Sequence, residues 1–452
     1  MGKAQGGKHG WPRNNARRES WAPQRPRLRC FVHRKPRPLT RTPTLSRLPH
    51  GCAVKRKLCV HTPQHRQPAA TPDTHRRRTL QRLAAAALAA PALLAQPARA
   101  QARSTGDVLV GRSTALTGGL APFLAPIHQG QEAAIADFNA QGGIGGRKIR
   151  LVTKDDGFDA QRALENAHAL IEGDGVTALF GQAGTSQVLA LLPYLAQAKT
   201  PLIGIYTGSP SVRAQRSPWL FTTNASYADE LVKIVRTLVT VQSQRIGVAY
   251  EDNDFGRLAL PLVQKVIAAE GATLVGSHAL ASNGQDAQAT AKALAGLQPQ
   301  AVLMIAAGPP VVAYVRAHKA HMGVPIYTLS LGAGAQVIKA LGPDAHGLAV
   351  ARTTPPPHRA TIAVTRQFQA SMKRLSLEPD YDRFVGYLDA RVLIEGLRAA
   401  APGITGTSVV SAMQAMDRLD LGGHVYQFSA SNHNGSSYVD IAIVGPDGHY
   451  IR

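Results

Sequence analysis

From Asp107 onward, short apolar segments alternate with longer stretches in which apolar residues recur every three or four positions. The first pattern is typical of strands buried on both faces, and the second is typical of helices that bury one face. In the first half of this region the pattern predicts four strands with helices between them. The strands are Val108–Arg112, Ile149–Lys154, Thr177–Phe180 and Pro201–Ile205, and the helices cover 127–139, 160–172 and 186–198.

A second run of the same kind begins after Asn224. Two successive sets of strand–helix units, each with room for its own sheet, predict an α/β fold made of two doubly wound, Rossmann-like lobes. The predicted strands of the second set are Arg245–Tyr250, Ala272–Ala279, Ala301–Ala306 and Pro325–Ser330, with helices over 256–270 and 309–322.

The C-terminal part of the chain mixes both kinds of segment. Residues 351–360 are rich in proline, which lacks the N–H group that a strand ladder needs, so we interpret this segment as a crossing between lobes rather than part of a sheet. A helix is predicted over 382–399, and the final strands are predicted at Val425–Phe428 and Tyr438–Val444.

The net charge of +23 is unevenly distributed along the 452 residues. Residues 1–103 contain 23 Lys and Arg against two acidic residues, whereas residues 104–452 carry only +2. A nucleic-acid-binding domain carries its basic patch on the folded domain, so this distribution argues against nucleic acid as a partner. All three cysteines also fall in the first 75 residues, with no metal-ligand spacing, and the sequence predicts neither a metal site nor a cofactor.

The N-terminal region divides into two segments. Residues 1–75 show no periodicity and too few apolar residues to form a core, which predicts a disordered basic leader or a start assigned too far upstream, with a basic arm as the alternative. Residues 76–102 combine three arginines, a short apolar run and cleavage sites near Ala100 or Ala102, as in a secretory signal peptide. The mature protein is therefore expected in the periplasm.

Five short motifs occur in an order and spacing that resemble one family. They are Thr117–Gly119, Asn139–Asp159 with its double-glycine turn, Gly181–Ser186, Asp252–Gly256 and Leu419–Gly423. The region 107–452 resembles the branched-chain amino-acid-binding proteins, which are type I periplasmic binding proteins serving ABC importers. The resemblance implies a monomer that binds a small molecule between two hinged lobes and delivers it to a permease in the inner membrane.

The resemblance also implies where the lobes begin and end. It places hinge crossings near Asn224–Ser226, Val350–Thr354 and Gly422–Val425. The first lobe is then expected to comprise 103–224 and 351–424, and the second 225–350 and 425–452.

The segment Gly184-Thr185-Ser186 is the strongest candidate for ligand binding. It lies between a predicted strand and a predicted helix, where unpaired N–H groups, the helix dipole and hydroxyl donors together can hold a carboxylate without a basic residue. An ordinary helix N-cap is the alternative. The resemblance places the family's carboxylate-binding serine at this segment, at Thr185 or Ser186.

Further candidates lie beyond the ends of other predicted strands. The resemblance matches Thr207 and Ser209 to the loop that binds a ligand's amino group, and it matches Phe123 and Phe255 to the aromatic lining of the side-chain pocket. A plain turn and ordinary core packing are the alternatives for these two pairs.

Leu331 departs from the family pattern, because it falls where the family has the acid that pairs with the ligand's ammonium group. A buried ammonium without a counter-charge is unfavourable. Either Asp229, Asp252 or Asp254 replaces that acid, or the ligand lacks an amino group. The family's disulfide in the first lobe is also absent.

Two other functions compete with transport. An enzyme is disfavoured because the sequence has neither a Gly-x-Ser-x-Gly nor a His-Glu-x-x-His motif, and its cluster Gly142–Gly146 precedes a strand instead of following one. A periplasmic sensory module that signals to a membrane protein would use the same fold. No kinase or DNA-binding motif is fused to the chain, which favours the importer.

Overall fold

The computed structural model describes residues 106–451. The predicted leader, 1–75, and the predicted signal peptide, 76–102, lie outside the described residues. Within 106–451, every helix is too short or too polar to cross a membrane.

The first lobe is built on five parallel strands in the order β2-β1-β3-β4-β5. The strands are β1 (Val108–Thr114), β2 (Ile149–Asp155), β3 (Ala178–Phe180), β4 (Leu202–Ile203) and β5 (Leu220–Phe221). The helices are α1 (Ala121–Ala140), α2 (Ala160–His168, with the π-turn Ala169–Gly173), α3 (Thr185–Ala198) and α4 (Pro210–Arg213). Strands β3 and β4 are entirely apolar and buried, as expected where helices cover both faces of a parallel sheet.

The second lobe is built on seven strands in the order β14-β13-β10-β9-β8-β6-β7. The strands are β6 (Arg245–Glu251), β7 (Thr273–Leu280), β8 (Ala301–Ile305), β9 (Ile326–Thr328), β10 (Ala349–Arg352), β13 (Asp440–Val444) and β14 (Tyr450–Ile451). The helices are α5 (Tyr227–Thr240), α6 (Asp254–Ala269), α7 (Ala287–Gly296), α8 (Pro309–His321) and α9 (Ala335–Leu341). Strands β13 and β14 are antiparallel to their neighbours and the others are parallel, so two α/β lobes are present as predicted.

The chain then returns to the first lobe with three helices and a short hairpin. These are α10 (Ala363–Leu375), α11 (Tyr381–Ala399), α12 (Gly406–Gln414) and the strands β11 (Leu419–Asp420) and β12 (Val425–Tyr426). Helix α11 lies directly on α1. A Cβ atom added at Gly130 would lie 1.9 Å from the carbonyl oxygen of Arg383, and one at Gly386 would lie 2.0 Å from that of Ile127. Only glycine at these two positions allows so close an approach.

The second crossing begins later than the sequence predicts. Ala351 and Arg352, expected to lie outside both sheets, pair with Ile441 and Asp440 as the end of β10. The prolines begin only at Pro355, so these two residues still carry the N–H groups that a ladder requires.

The third crossing also lies later than Gly422–Val425. Tyr426 and Phe428 are buried in the core of the first lobe with Phe221, and the Gly435 N–H donates to the carbonyl oxygen of Thr222 at 2.8 Å. The predicted assignment of residues from 425 onward to the second lobe is therefore wrong for this stretch, because its aromatic side chains complete the first core. The chain enters the second sheet at β13.

Candidate functional site

A cavity of about 460 Å³ lies between the two lobes, beyond the C-terminal ends of their parallel strands. This is the usual position for a ligand in open α/β sheets. Most of the residues predicted from the sequence line it: Phe123, Gly184, Thr185, Ser186, Thr207, Phe255 and Leu331. Ser209 does not, because its hydroxyl is buried against that of Ser211 at 2.8 Å.

The start of α3 forms one side of this cavity, which we call the donor wall (Gly184, Thr185 and Ser186). Gly184 is the N-cap with φ of 93°, a conformation that favours glycine, and a Cβ atom there would lie 2.0 Å from Oε1 of Gln187. Within the described chain, no side chain caps this helix and no acid occupies its first turn. The donor wall therefore presents N–H groups and a positive dipole end to the cavity.

The other helices that begin at the cavity have their first-turn donors occupied or missing. Helices α2, α6 and α11 are capped by Asp159, Asn253 and Asp380. The N–H of the first residue of α9 donates to Asp382 at 2.7 Å. Helix α8 begins with Pro309–Pro310, which have no N–H group, and α1 closes its first turn on its own backbone. Among these helix starts, α3 is the one whose first-turn N–H groups meet neither a side-chain acceptor nor a proline.

A chain of hydroxyl groups extends from the donor wall to the second lobe. Thr185 Oγ1 lies 3.1 Å from Thr207 Oγ1, which in turn lies 3.3 Å from the Tyr227 hydroxyl. Burial raises the pKa of Tyr227, so its phenol stays protonated and able to donate. These groups can exchange partners with a bound ligand without any change in charge.

Two acids lie on the second-lobe side of the cavity, which we call the acidic wall (Glu251 and Asp254). Ser186 Oγ donates to Asp254 Oδ2 at 2.7 Å and so joins the two walls. Asp252, another predicted replacement for the family's acid, instead pairs with Arg257 at the surface, 2.9 Å away. Asp229 accepts the N–H and hydroxyl of Ser226 at the start of α5.

Glu251 is nearly enclosed by protein, with 6% of its surface exposed. It accepts the Ala307 N–H at 3.1 Å, and burial raises the pKa of its carboxyl above the usual range.

Between the two walls the lining is apolar and aromatic. Phe123 packs from α1 against the core of the second lobe, and Phe255 meets the ring of Tyr227 edge to face at 5.4 Å. The cavity therefore suits a molecule with an apolar body and polar ends.

Comparison with known sequences identifies the family. The sequence profile of the periplasmic binding protein family matches residues 107–449. The chain belongs to this family.

Two curated relatives and a solved structure illustrate the similarity of this periplasmic binding protein to others. Leu/Ile/Val-binding protein homolog 7 from Brucella melitensis is 24% identical over 370 residues, which cover 77% of this chain and 90% of the relative. Leu/Ile/Val-binding protein homolog 2 from Brucella abortus is 33% identical over 116 residues, 26% of this chain, and the match spans about a third (31%) of that relative's length. An extracellular ligand-binding receptor from Verminephrobacter eiseniae superposes with a TM-score of 0.72 and 27% identity, over 76% of this chain and 100% of that chain.

These comparisons confirm the resemblance to the branched-chain amino-acid-binding proteins and the two-lobed fold. Sequence reasoning missed three charged residues of this periplasmic binding protein that lie at or beside the cavity: Glu230, Arg352 and Asp382. Each is buried, with exposed fractions of 1%, 3% and 4%. Their only sequence signal is that Glu230 and Asp382 fall in the first turn of a helix, which is equally common for surface acids.

Metal chemistry finds no support in the described residues. No group of three or more His, Cys, Asp or Glu side chains within 106–451 is arranged to hold an ion.

Proposed function

We propose that the protein is the extracytoplasmic solute-binding receptor of an ABC importer and that it traps a small carboxylate-bearing molecule between its lobes. The observation that carries the proposal is the donor wall. Helix α3 begins at the cavity with uncapped N–H groups, two hydroxyls and no acid, whereas every neighbouring helix start is capped, closed on itself or begins with proline. A carboxylate at this position would gain charge-assisted hydrogen bonds.

The rest of the cavity supports an amino acid or a related organic acid as the ligand. Its volume of about 460 Å³ and its aromatic and aliphatic lining suit a single compact body. The names of the curated relatives, Leu/Ile/Val-binding protein homologs, agree with ligands of this size. The receptor would act in the periplasm, deliver its ligand to a membrane permease and catalyse no reaction.

Two measurements test this proposal. Mass spectrometry of the protein purified under native conditions should find a small carboxylate bound to it. A thermal-shift panel of amino acids, aliphatic acids, aromatic acids, sugars and polyamines should then show stabilisation by carboxylates alone. Stabilisation by sugars or polyamines, with no response to any carboxylate, would contradict the proposal.

A further inference from the structure

A short segment of the second lobe, Ser330–Gly334, forms part of the cavity wall through Leu331 and its last residue, and we call it the wall loop. Two buried charged residues of the same lobe hold it. Glu230 accepts the N–H and the hydroxyl of Ser330 at 2.6 and 3.0 Å. Arg352 donates to two carbonyl oxygens of the loop, at 3.4 and 2.7 Å. These contacts lie within one lobe, so they do not depend on how the lobes are placed.

The first lobe reaches the end of the wall loop through Asp382, in the first turn of α11. Its Oδ2 atom accepts the Ala335 N–H at 2.7 Å. Ala335 is the first residue of α9, and the residue before it, Gly334, is an N-cap without a side chain. An acid of one lobe therefore caps a helix of the other, at a helix end where an acceptor and a negative charge are both favourable.

Gly334 provides the space for this contact. A Cβ atom added there would lie 2.2 Å from Asp382 Oδ2, and the three nearest atoms all belong to Asp382. The φ angle of Gly334 is −73°, which any residue can adopt. Glycine is thus needed here for space and not for backbone conformation, because the carboxyl group of the other lobe lies where a side chain would begin.

The residue before Asp382 makes a second contact between the lobes. The Arg352 guanidinium lies over the ring of Tyr381, 4.5 Å from its centroid, and over the ring of Tyr450 at 4.4 Å. Tyr381 belongs to α11 of the first lobe, whereas Arg352 and Tyr450 belong to the sheet of the second. The first two residues of α11 are therefore both attached to the second lobe, and both are buried.

Burial between the lobes changes the acidity of Asp382. It raises the pKa of this carboxyl to about 6, and the neighbouring Asp380 raises it further. An exposed aspartate has a pKa of about 4. The charged and ionisable groups around the carboxyl are Asp380 and Arg383 on its own helix, Arg352 on β10, Tyr206 after β4 and Glu230 on α5. Bringing the lobes together therefore favours uptake of a proton by Asp382.

We propose that Asp382 is a proton-sensitive latch, which caps α9 from the other lobe, holds the closed arrangement together with the wall loop, and does so more firmly at low pH. A protonated carboxyl still has an oxygen that accepts the Ala335 N–H, and it avoids the cost of burying a charge. Because the closed form binds this proton more tightly, closure should strengthen as pH falls from 8 to 5. The inference rests on the proposed function and adds a regulation by pH to it.

Calorimetry at pH 5 and pH 8 tests the latch, with whichever of leucine, phenylalanine and benzoate stabilises the protein most. Asp382→Asn keeps an oxygen for the Ala335 N–H but does not titrate, and it retains every other ionisable group. The ratio of affinity at pH 5 to affinity at pH 8 should be roughly tenfold larger in the wild-type protein than in this variant. The same ratio in both proteins would overturn the proposal.

Gly334→Ala tests the contact from the other lobe. The added methyl group displaces the carboxyl from the start of α9, so affinity at pH 5 should fall roughly tenfold. In Asp382→Ala the space is already free, so adding Gly334→Ala to that variant should cause no further loss. Gly323→Ala is the matched control, since its Cβ atom meets nothing within 4 Å, and it should bind like wild type. Equal losses from Gly334→Ala in both backgrounds would count against the latch.

Small-angle scattering from the ligand-free protein separates the latch from the proposed function. The radius of gyration of the wild-type protein should be smaller at pH 5 than at pH 8, and that of Asp382→Asn should be the same at both. If none of the three carboxylates binds, the proposed function fails. The scattering result then decides the latch, which is rejected if the two proteins respond alike.

Discussion

The two walls of the ligand cavity use opposite means to hold polar groups. The donor wall carries no charged side chain and acts through hydroxyls and the start of α3, whereas the acidic wall carries Glu251 and Asp254. The cavity is therefore polarised, and the side that we propose for anion binding is built from backbone and hydroxyl groups. A count of charged residues would suggest only a cation site here, whereas the proposed carboxylate-binding side is recognised only from the position of a helix start.

The largest expected effect comes from removing a hydroxyl of the donor wall. Thr185→Val keeps the shape of the side chain but removes its hydrogen bond, and we expect affinity for the best carboxylate of the thermal-shift panel to fall by one to two decades, about 1.5–3 kcal/mol. Ser211→Ala, a hydroxyl deletion outside the cavity, is the control for calorimetry. If Thr185→Val binds that carboxylate with wild-type affinity, the donor wall is an ordinary helix start and not a binding site.

A smaller effect is expected where the walls meet. The hydrogen bond from Ser186 to Asp254 joins the lobes, so Asp254→Ala should shift the ligand-free protein toward an open form by about 1 kcal/mol. Small-angle scattering should then show a larger radius of gyration without ligand and a normal one with it. Asp252→Ala, in the same turn but paired at the surface with Arg257, should leave the radius unchanged. An equal response from both variants would mean that the contact does not hold the lobes.

The smallest effect concerns pH. The pKa of Glu251 is raised on folding, so the folded protein holds this proton more tightly than the unfolded chain does. The free energy of unfolding should therefore decrease as pH rises through the interval between the unfolded and folded pKa values. The side chain in Glu251→Gln is neutral at every pH, so the stability of this variant should not show that part of the decrease. Thermal melts should therefore show the variant becoming more stable relative to wild type from pH 4 to pH 7. Glu165→Gln, an exposed change, should run parallel to wild type.

Periodicity predicted most of the fold because its signal is local. Strands β1, β2, β6 and β8 lie within one or two residues of their predicted limits. Helix α1 begins six residues earlier than predicted: Pro122 lies in its first turn, where proline removes little hydrogen bonding, and the helix continues through Pro126 despite the hydrogen bond lost there. The position of the third crossing was mispredicted because Tyr426 and Phe428 are buried by first-lobe residues that lie far from them in the sequence. Local periodicity carries no information about such contacts.

The candidate site was predictable only in part. The donor wall lies at a junction between a strand and a helix, and the periodicity of a single sequence is enough to predict such a junction. The same reasoning predicted Ser209 as a ligand contact, but its hydroxyl is directed toward that of Ser211. Its backbone N–H donates to the hydroxyl oxygen of Thr207. Glu230 and Asp382 belong to different lobes and line the same small space, and nothing local in the sequence predicts that they do.

The proline pair at the start of α8 carries a consequence for selectivity. A helix that begins with Pro309–Pro310 lacks its first two N–H groups, so the second lobe has no counterpart to the donor wall. A ligand with carboxylates at both ends would place the distal one toward Glu251, where like charges repel and the Ala307 N–H is already taken by that acid. We therefore expect monoacids to be accepted and diacids such as glutarate to be rejected. Replacing both prolines by serine should weaken that rejection, as competition calorimetry would show.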